Sequence, residues 1–248
     1  MAGHSKWAQI KRSKGALDVK RGKIFGKFSR AITVAARHGG GDPQFNPRLR
    51  QIIQTAKAAS MPNDNIDRAI KRAAGGEDGT VIQEVVYEGY GSGGVALLVE
   101  TMTDNKNRTA ADVRNTFNKH HGNMAGAGSV AWMFNRKGVI HIAREAADEE
   151  KLLEIVLEAG ADDLSAGPEQ FEVLTPPDRL DQVLEALKAQ GIAAAEAKFA
   201  FLPQNTIAVL DEAEARKILE LLEALEDLDD VQSVHSNFDI PDAVMEKI

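Results

Sequence analysis

Two hydrophobic periods follow one another along the chain, and the change of period divides it. From Ala16 the apolar residues recur at three- and four-residue steps, so that Phe25, Phe28, Ile32 and Ala35 share one helical face. His38-Gly39-Gly40-Gly41 closes that helix. Asn46-Pro47 has the form of an N-cap followed by proline at the first helical position, and Leu49, Ile52, Ile53 and Ala56 make the next apolar face. After Ser60-Met61-Pro62 a third helix starts near Asn63, turns Ile66, Ile70 and Ala73 inward and stops at Gly75-Gly76. Three short amphipathic helices with small loops predict a bundle of about 60 residues, close to the lower limit for independent stability. Residues 1–15 are polar and basic without a period, which predicts an arm.

Beyond Gly76 the texture becomes β-branched. Val81–Tyr87 and Val95–Thr103 predict strands, and the Gly-rich turn Gly89–Gly94 between them predicts a hairpin. A polar loop, Asp104–Arg108, leads into a helix with Ala110, Val113, Phe117 and His120 on one face, ending at Gly122. Val130–Phe134 is expected to be a short strand. From Lys137 the order is strand (138–142), helix (147–159), short strand (161–164), strand (171–175), a helix opened by Pro177, and an extended segment (192–202). That is βαββαβ, the ferredoxin-like order. Thr206–Leu210 predicts a strand, Asp211 with Glu214 predicts a capped helix, and Val231–Asn237 predicts a last strand. This trailing βαβ unit needs partners, which the layer at 81–134 can supply. The fold class expected is therefore α+β and multidomain. It comprises an arm and three-helix bundle (1–76), a discontinuous α+β domain (77–134 plus 204–248) and a ferredoxin-like α+β domain (135–203) inserted in it.

Charge adds what periodicity does not show. The 248 residues carry a formal net charge of −7. Residues 1–74 hold 16 basic and 4 acidic side chains (+12), and residues 75–248 hold 14 and 33 (−19). Such asymmetry points to a polyanion as the partner of the basic part. The absence of cysteine excludes disulfide scaffolds, cysteine nucleophiles and thiolate metal sites. It fits a reducing cytosol, and the expected location is cytoplasmic. No apolar run approaches the roughly 18–20 residues that span a bilayer, and a membrane is not an expected partner. The basic N-terminus shares its composition with an organellar transit peptide, but it contains few serines and runs straight into a helix.

The candidate nucleic-acid contacts are Lys6, Lys11, Arg12, Lys14, Lys20, Arg21, Lys23, Lys27 and Arg30, opposed within residues 1–30 by Asp18 alone. Phosphate backbones are recognised through such charge, and about six contacts on duplex DNA give a log–log salt slope near −5. Trp7 stands among them and can stack on an exposed base. The alternative is a solvated helix face with Trp7 packed on the bundle. Arg48, Arg50, Lys57, Arg68, Lys71 and Arg72 extend the basic surface or are ordinary solvent-facing charges. In the polar loop, Lys106 and Arg108 are further phosphate candidates, although Asp and Asn there suit turns and caps unaided. Glu88–Gly94 (EGYGSGG) lacks the following Lys-Ser/Thr and the helix of a phosphate loop, so a plain hairpin is expected. His120-His121 suit a helix C-terminus. Adjacent helical positions diverge, so the pair is not expected to chelate. No nucleophile–base constellation is evident, so no catalytic residue, metal or cofactor is expected. Glu226-Asp227 and Asp229-Asp230 crowd the end of the last helix against its dipole. A solvated acidic rim is the expectation, with folding back on the basic arm or binding of a basic protein as alternatives.

Several segments then carry a resemblance. MAGHSKWAQIK with KRGKIF, NPRL, MPNDNIDRAIKRA, YEGYGSGGVALLVE, TDNKNRT, GSVAWMF and DDVQSVHSN are similar to the YebC/PmpR family over essentially the whole chain. The resemblance implies a helical N-terminal domain and two α+β domains, one inserted in the other. It also implies a DNA-binding transcriptional regulator with no catalytic residues. A mitochondrial relative is a translational activator, and bacterial members are linked to ribosomes stalled on proline-rich stretches. The second expectation is therefore a ribosome-associated translation factor that binds ribosomal RNA.

Overall fold

The computed structural model describes residues 17–73 and 81–248, with side chains from residue 21 onward. The fold is α+β. Two compact units are present, one formed by the described residues up to Phe134 with Pro203–Ile248, the other by Asn135–Leu202.

The bundle consists of α1 (Leu17–Gly39), α2 (Pro47–Ala58) and α3 (Asn63–Ala73). Its core joins Ile32, Ala35 and Ala36 to Leu49, Ile53, Ala56, Ile66 and Ala69, with Phe25, Phe28, Ile52 and Ile70 packed at its margin. These are the faces that the three- and four-residue spacing predicts. Asn46 Oδ1 accepts the Leu49 N–H at 3.1 Å, which caps α2. Its Nδ2 donates to the carbonyls of Ala35 and Gly40, both at 2.8 Å, so one buried amide ties the start of α2 to the end of α1.

Next comes β1 (Gln83–Tyr90), β2 (Ala96–Thr103), α4 (Lys106–Lys119) and β3 (Asn123–Ala125). Tyr90 pairs with Ala96, closing the expected hairpin across Gly91–Val95. Gly93 and Gly94 take φ of 66° and 74°, where a β-carbon is strained. The segment 130–134 corrects the sequence expectation. Ala131–Met133 is a 3₁₀ turn and Phe134 already belongs to the next strand. The Gly-rich stretch before it supplies the short edge strand β3, which has too few residues for a period to show.

The unit Asn135–Leu202 follows the βαββαβ order. It runs β4 (Phe134–Ala143), α5 (Glu149–Glu158), β5 (Asp163–Ala166), β6 (Gln170–Thr175), α6 (Leu180–Ala189) and β7 (Glu196–Pro203). Its sheet has the order β5-β6-β4-β7, the ferredoxin-like arrangement. Ile140, Ile142, Phe171 and Val173 meet Leu152, Val156, Leu180, Val183 and Leu187 in its core.

The chain then adds β8 (Ile207–Ala208), α7 (Glu212–Glu226), β9 (Val231–Ser236), β10 (Phe238–Asp239) and α8 (Asp242–Met245). Asp211 Oδ1 accepts the Glu214 N–H at 2.8 Å, the predicted cap. β9 joins β2, giving the sheet order β3-β1-β2-β9. β8 does not enter this sheet but pairs in parallel with β10. Asn237 explains the diversion. Its side chain accepts the Ala96 N–H at 2.7 Å while its carbonyl accepts the Ile207 N–H at 2.7 Å, so it turns the chain from β9 toward β8. One face of the four-stranded sheet is sealed by Val113, Phe117, Ile218, Leu221, Leu222 and Leu225 of α4 and α7.

Candidate nucleic-acid interface

Of the candidate contacts, Lys6, Trp7, Lys11, Arg12 and Lys14 lie outside the described residues, and so does the side chain of Lys20. Arg21 is exposed on α1. The next three cations of that helix turn inward on the protein itself. Lys23 Nζ donates to the Asp227 carbonyl at 3.1 Å, Lys27 Nζ to the Glu226 carbonyl at 2.7 Å, and Arg30 Nη1 to the Asp229 carbonyl at 2.7 Å. Lys23 also stands 4.0 Å from the Asp227 carboxylate and Arg30 3.4 Å from that of Asp230. The spacing 23, 27, 30 is one helical stripe. It lies on the C-terminal end of α7, where orphan carbonyls and the helix dipole attract cations. At the acidic cluster 226–230, α1 thus engages three backbone carbonyls and the buried Asp230 carboxylate, as the folding-back alternative has it, while Asp227 and Asp229 stay exposed, as the rim expectation has it. The mismatch of carboxylates at a helix C-terminus is offset by cations brought from about 200 positions earlier in the chain.

Asp230 is the centre of a second set of bonds. Its Oδ2 accepts Arg108 Nη2 at 2.8 Å, and the hydroxyls of Thr109 and Thr103 stand 2.7 and 3.2 Å away. Arg108 Nη2 also reaches the Asp104 carboxylate at 2.8 Å. Asn105 caps α4 by accepting the Arg108 N–H at 3.1 Å. Burial of Asp230 opposes its charge. The bonds from Arg108 and Thr109 and the charge of Arg30 outweigh that, holding the carboxyl below its ordinary value. The polar loop 103–109 therefore joins α1, α4 and β9 through one carboxylate. Arg108 is largely committed to it, and Lys106 is exposed at the start of α4. Sequence reasoning did not foresee this hub. Its signal was the density of Asp, Asn and Thr in two segments, but nothing local says that they meet.

On the bundle, Arg48 pairs with the carboxylate of Glu84, Arg50 Nη1 lies 3.4 Å from the Pro43 carbonyl, and Arg68 bonds to Asn65 and to the Asp64 carbonyl. Lys57, Lys71 and Arg72 are exposed.

Glu88 sits beneath the loop 126–131. Its carboxylate accepts the N–H groups of Gly128, Val130 and Ala131 at 2.6, 2.6 and 2.8 Å. Burial works against the charge, but the amides prevail and the pKa is lowered. Glu88 thus supports a loop, and the expected plain hairpin follows it.

Among the described residues no three His, Asp or Glu side chains are placed to hold a metal ion. Ser233, Glu100 and His235 do come together on the sheet. Ser233 Oγ is 2.5 Å and His235 Nε2 2.8 Å from the same Glu100 oxygen, so the serine is bonded to the carboxylate. Nucleophilic activation needs the serine on the imidazole. Among the described residues no helix is long and apolar enough to cross a membrane.

With this geometry in view, comparison with known proteins is informative. Residues 5–76 match the family described as TACO1/YebC protein N-terminal domain, and residues 82–238 match the TACO1/YebC second and third domain. The probable transcriptional regulatory protein of Desulfotalea psychrophila is 54% identical over 100% of this chain and 99% of its own. That of Geobacter sulfurreducens is 52% identical over 100% of both chains. The crystal structure of a conserved hypothetical protein from Aquifex aeolicus is similar with a TM-score of 0.85 and 47% identity, covering 92% of this chain and 94% of that one.

Proposed function

Since the chain belongs to the TACO1/YebC family, we propose that it is a non-catalytic, nucleic-acid-binding regulator of gene expression, specifically a DNA-binding transcriptional regulator of YebC type. The observation that carries this reading is the +12 charge of residues 1–74 against −19 in the remainder. The phosphate contacts are Lys6, Lys11, Arg12, Lys14, Lys20 and Arg21, with Trp7 stacking beside them and Lys106 beyond. Lys23, Lys27, Arg30 and Arg108 set the position of the elements that carry them. The names of the relatives support the regulatory role.

A second reading is a ribosome-associated translation factor that binds ribosomal RNA and relieves stalling on proline-rich stretches. One observation favours it. The stripe Lys23, Lys27 and Arg30 is occupied by α7, so the described part of α1 offers no free row of side chains for a major groove. Crosslinking the full chain in cells and sequencing both DNA and RNA separates the two. Discrete promoter sites support the transcriptional reading, and enrichment of large-subunit ribosomal RNA without promoter sites supports the other. A chain lacking residues 1–30 should lose either signal, and unaltered binding by that chain removes the basic arm from the site.

A further inference from the structure

Trp132 is exposed at 65%, an unusual setting for a large aromatic side chain, and its surroundings hold it still. The indole N–H donates to the Ser129 carbonyl at 3.1 Å, and the Tyr90 hydroxyl donates to that same oxygen at 3.1 Å. Beneath them the Glu88 carboxylate gathers the amides of Gly128, Val130 and Ala131. The Trp132 carbonyl accepts Gln204 Nε2 at 2.9 Å. The one polar atom of the indole is therefore satisfied inside the loop, and the ring is presented with nothing left to hydrogen-bond. Such a ring suits a partner with a π-face.

The composition of the segment that carries the ring points to an anionic partner. From Val113 to Phe134 the chain contains no Asp or Glu, although the region after residue 74 is strongly acidic. Within that stretch lie Arg114, Lys119, His120 and His121. His121 precedes by two residues Asn123, which pairs with Tyr90 at the edge of the sheet. The acidic group closest to the loop, Glu88, is buried and faces amide donors.

We propose that Trp132, fixed by Ser129 and Glu88, is a stacking platform for an unpaired nucleobase of a single-stranded nucleic acid. The proposal rests on the nucleic-acid reading above and adds the strandedness of the target. Stacking is sequence-tolerant and adds affinity without adding phosphate contacts, so it leaves the salt slope unchanged.

The test uses the full chain with Trp7→Phe, which keeps a ring at that position and leaves Trp132 as the one indole. A short oligouridine should quench its emission, and a duplex of equal length should not. Trp132→Ala in that background should weaken oligouridine binding by about 5- to 150-fold with an unchanged salt slope. Trp132→Phe, which keeps a ring and gives up only the bond to Ser129, should retain most of the affinity. Oligouridine that binds without quenching overturns the proposal, as does equal affinity of Trp132→Ala. Emission that changes with protein concentration alone marks a protein contact at Trp132 and overturns it too. A full chain that binds neither oligouridine nor duplex removes the nucleic-acid reading itself.

Discussion

At the residue scale, the carboxylate of Glu88 behaves as a built-in anion for a nest of backbone amides. The N–H groups of Gly128, Val130 and Ala131 belong to a loop with no strand partner, and without an acceptor they would be costly to bury. Glu88→Gln keeps the shape but turns one acceptor into a donor that faces donors. We expect a loss of about 1–3 kcal/mol in urea unfolding at pH 7. Because the folded pKa is lowered, the contribution is complete above the ordinary carboxyl value and fades as pH falls through the folded one. The gap between the two proteins should therefore narrow in acid, and a gap that stays constant contradicts this account. Asp230 follows the same logic with side-chain donors. Neither role was visible in the sequence, because Glu88 lies 42 positions from Val130 and Asp230 lies 122 from Arg108.

At the scale of elements, the three bundle helices were legible because period, cap and stop agree within each segment, as with Asn46, Leu49 and Ile53. The ferredoxin-like order was legible because β6 alternates cleanly and α5 and α6 carry apolar stripes at helical spacing. β3 and the 3₁₀ turn at 131–133 were not, since three residues are too few for a period to repeat. The place of β8 was not either, because pairing with β10 is decided by Asn237. The docking of α1 on α7 was at most an alternative, since charge in the sequence has sign but no address. Within the ferredoxin-like sheet, His141 lies between Glu172 (3.2 Å) and Glu196 (3.1 Å). The bond to Glu172, then that to Glu196, raises the imidazole pKa, while the bond to His141 leads in lowering Glu196 to about 2. The raised histidine stabilises fully below its unfolded value of 6.5 and ceases to do so as pH climbs through the folded value. The lowered glutamate stabilises fully above 4.5 and loses this toward about 2. Hydrogen exchange of the β4, β6 and β7 amides should show greatest protection between those limits. His141→Gln should abolish the alkaline decline, and a decline that persists in it assigns the effect elsewhere.

At the scale of the whole molecule, the division of charge becomes a division of labour. Of nine cations in residues 1–30, Lys23, Lys27 and Arg30 hold α7; in the proposed function the other six, with Lys106, meet phosphate. Duplex binding should then follow salt with a slope near −6. Replacing Lys23, Lys27 and Arg30 together by glutamine should keep that slope while lowering the unfolding midpoint. A slope that drops by about 3 would make them phosphate contacts instead. The pairing of β2 with β9 has another consequence, for synthesis. Leu97 meets Ser236, a partner translated 139 residues later. Until Val231–Ser236 leaves the ribosome, the apolar strand Ala96–Thr103 presents an open edge, while residues 135–202 have already emerged and can fold. Messages truncated between these points should yield chains that aggregate through that edge, so the codons for Val231–Ser236 decide whether it is covered.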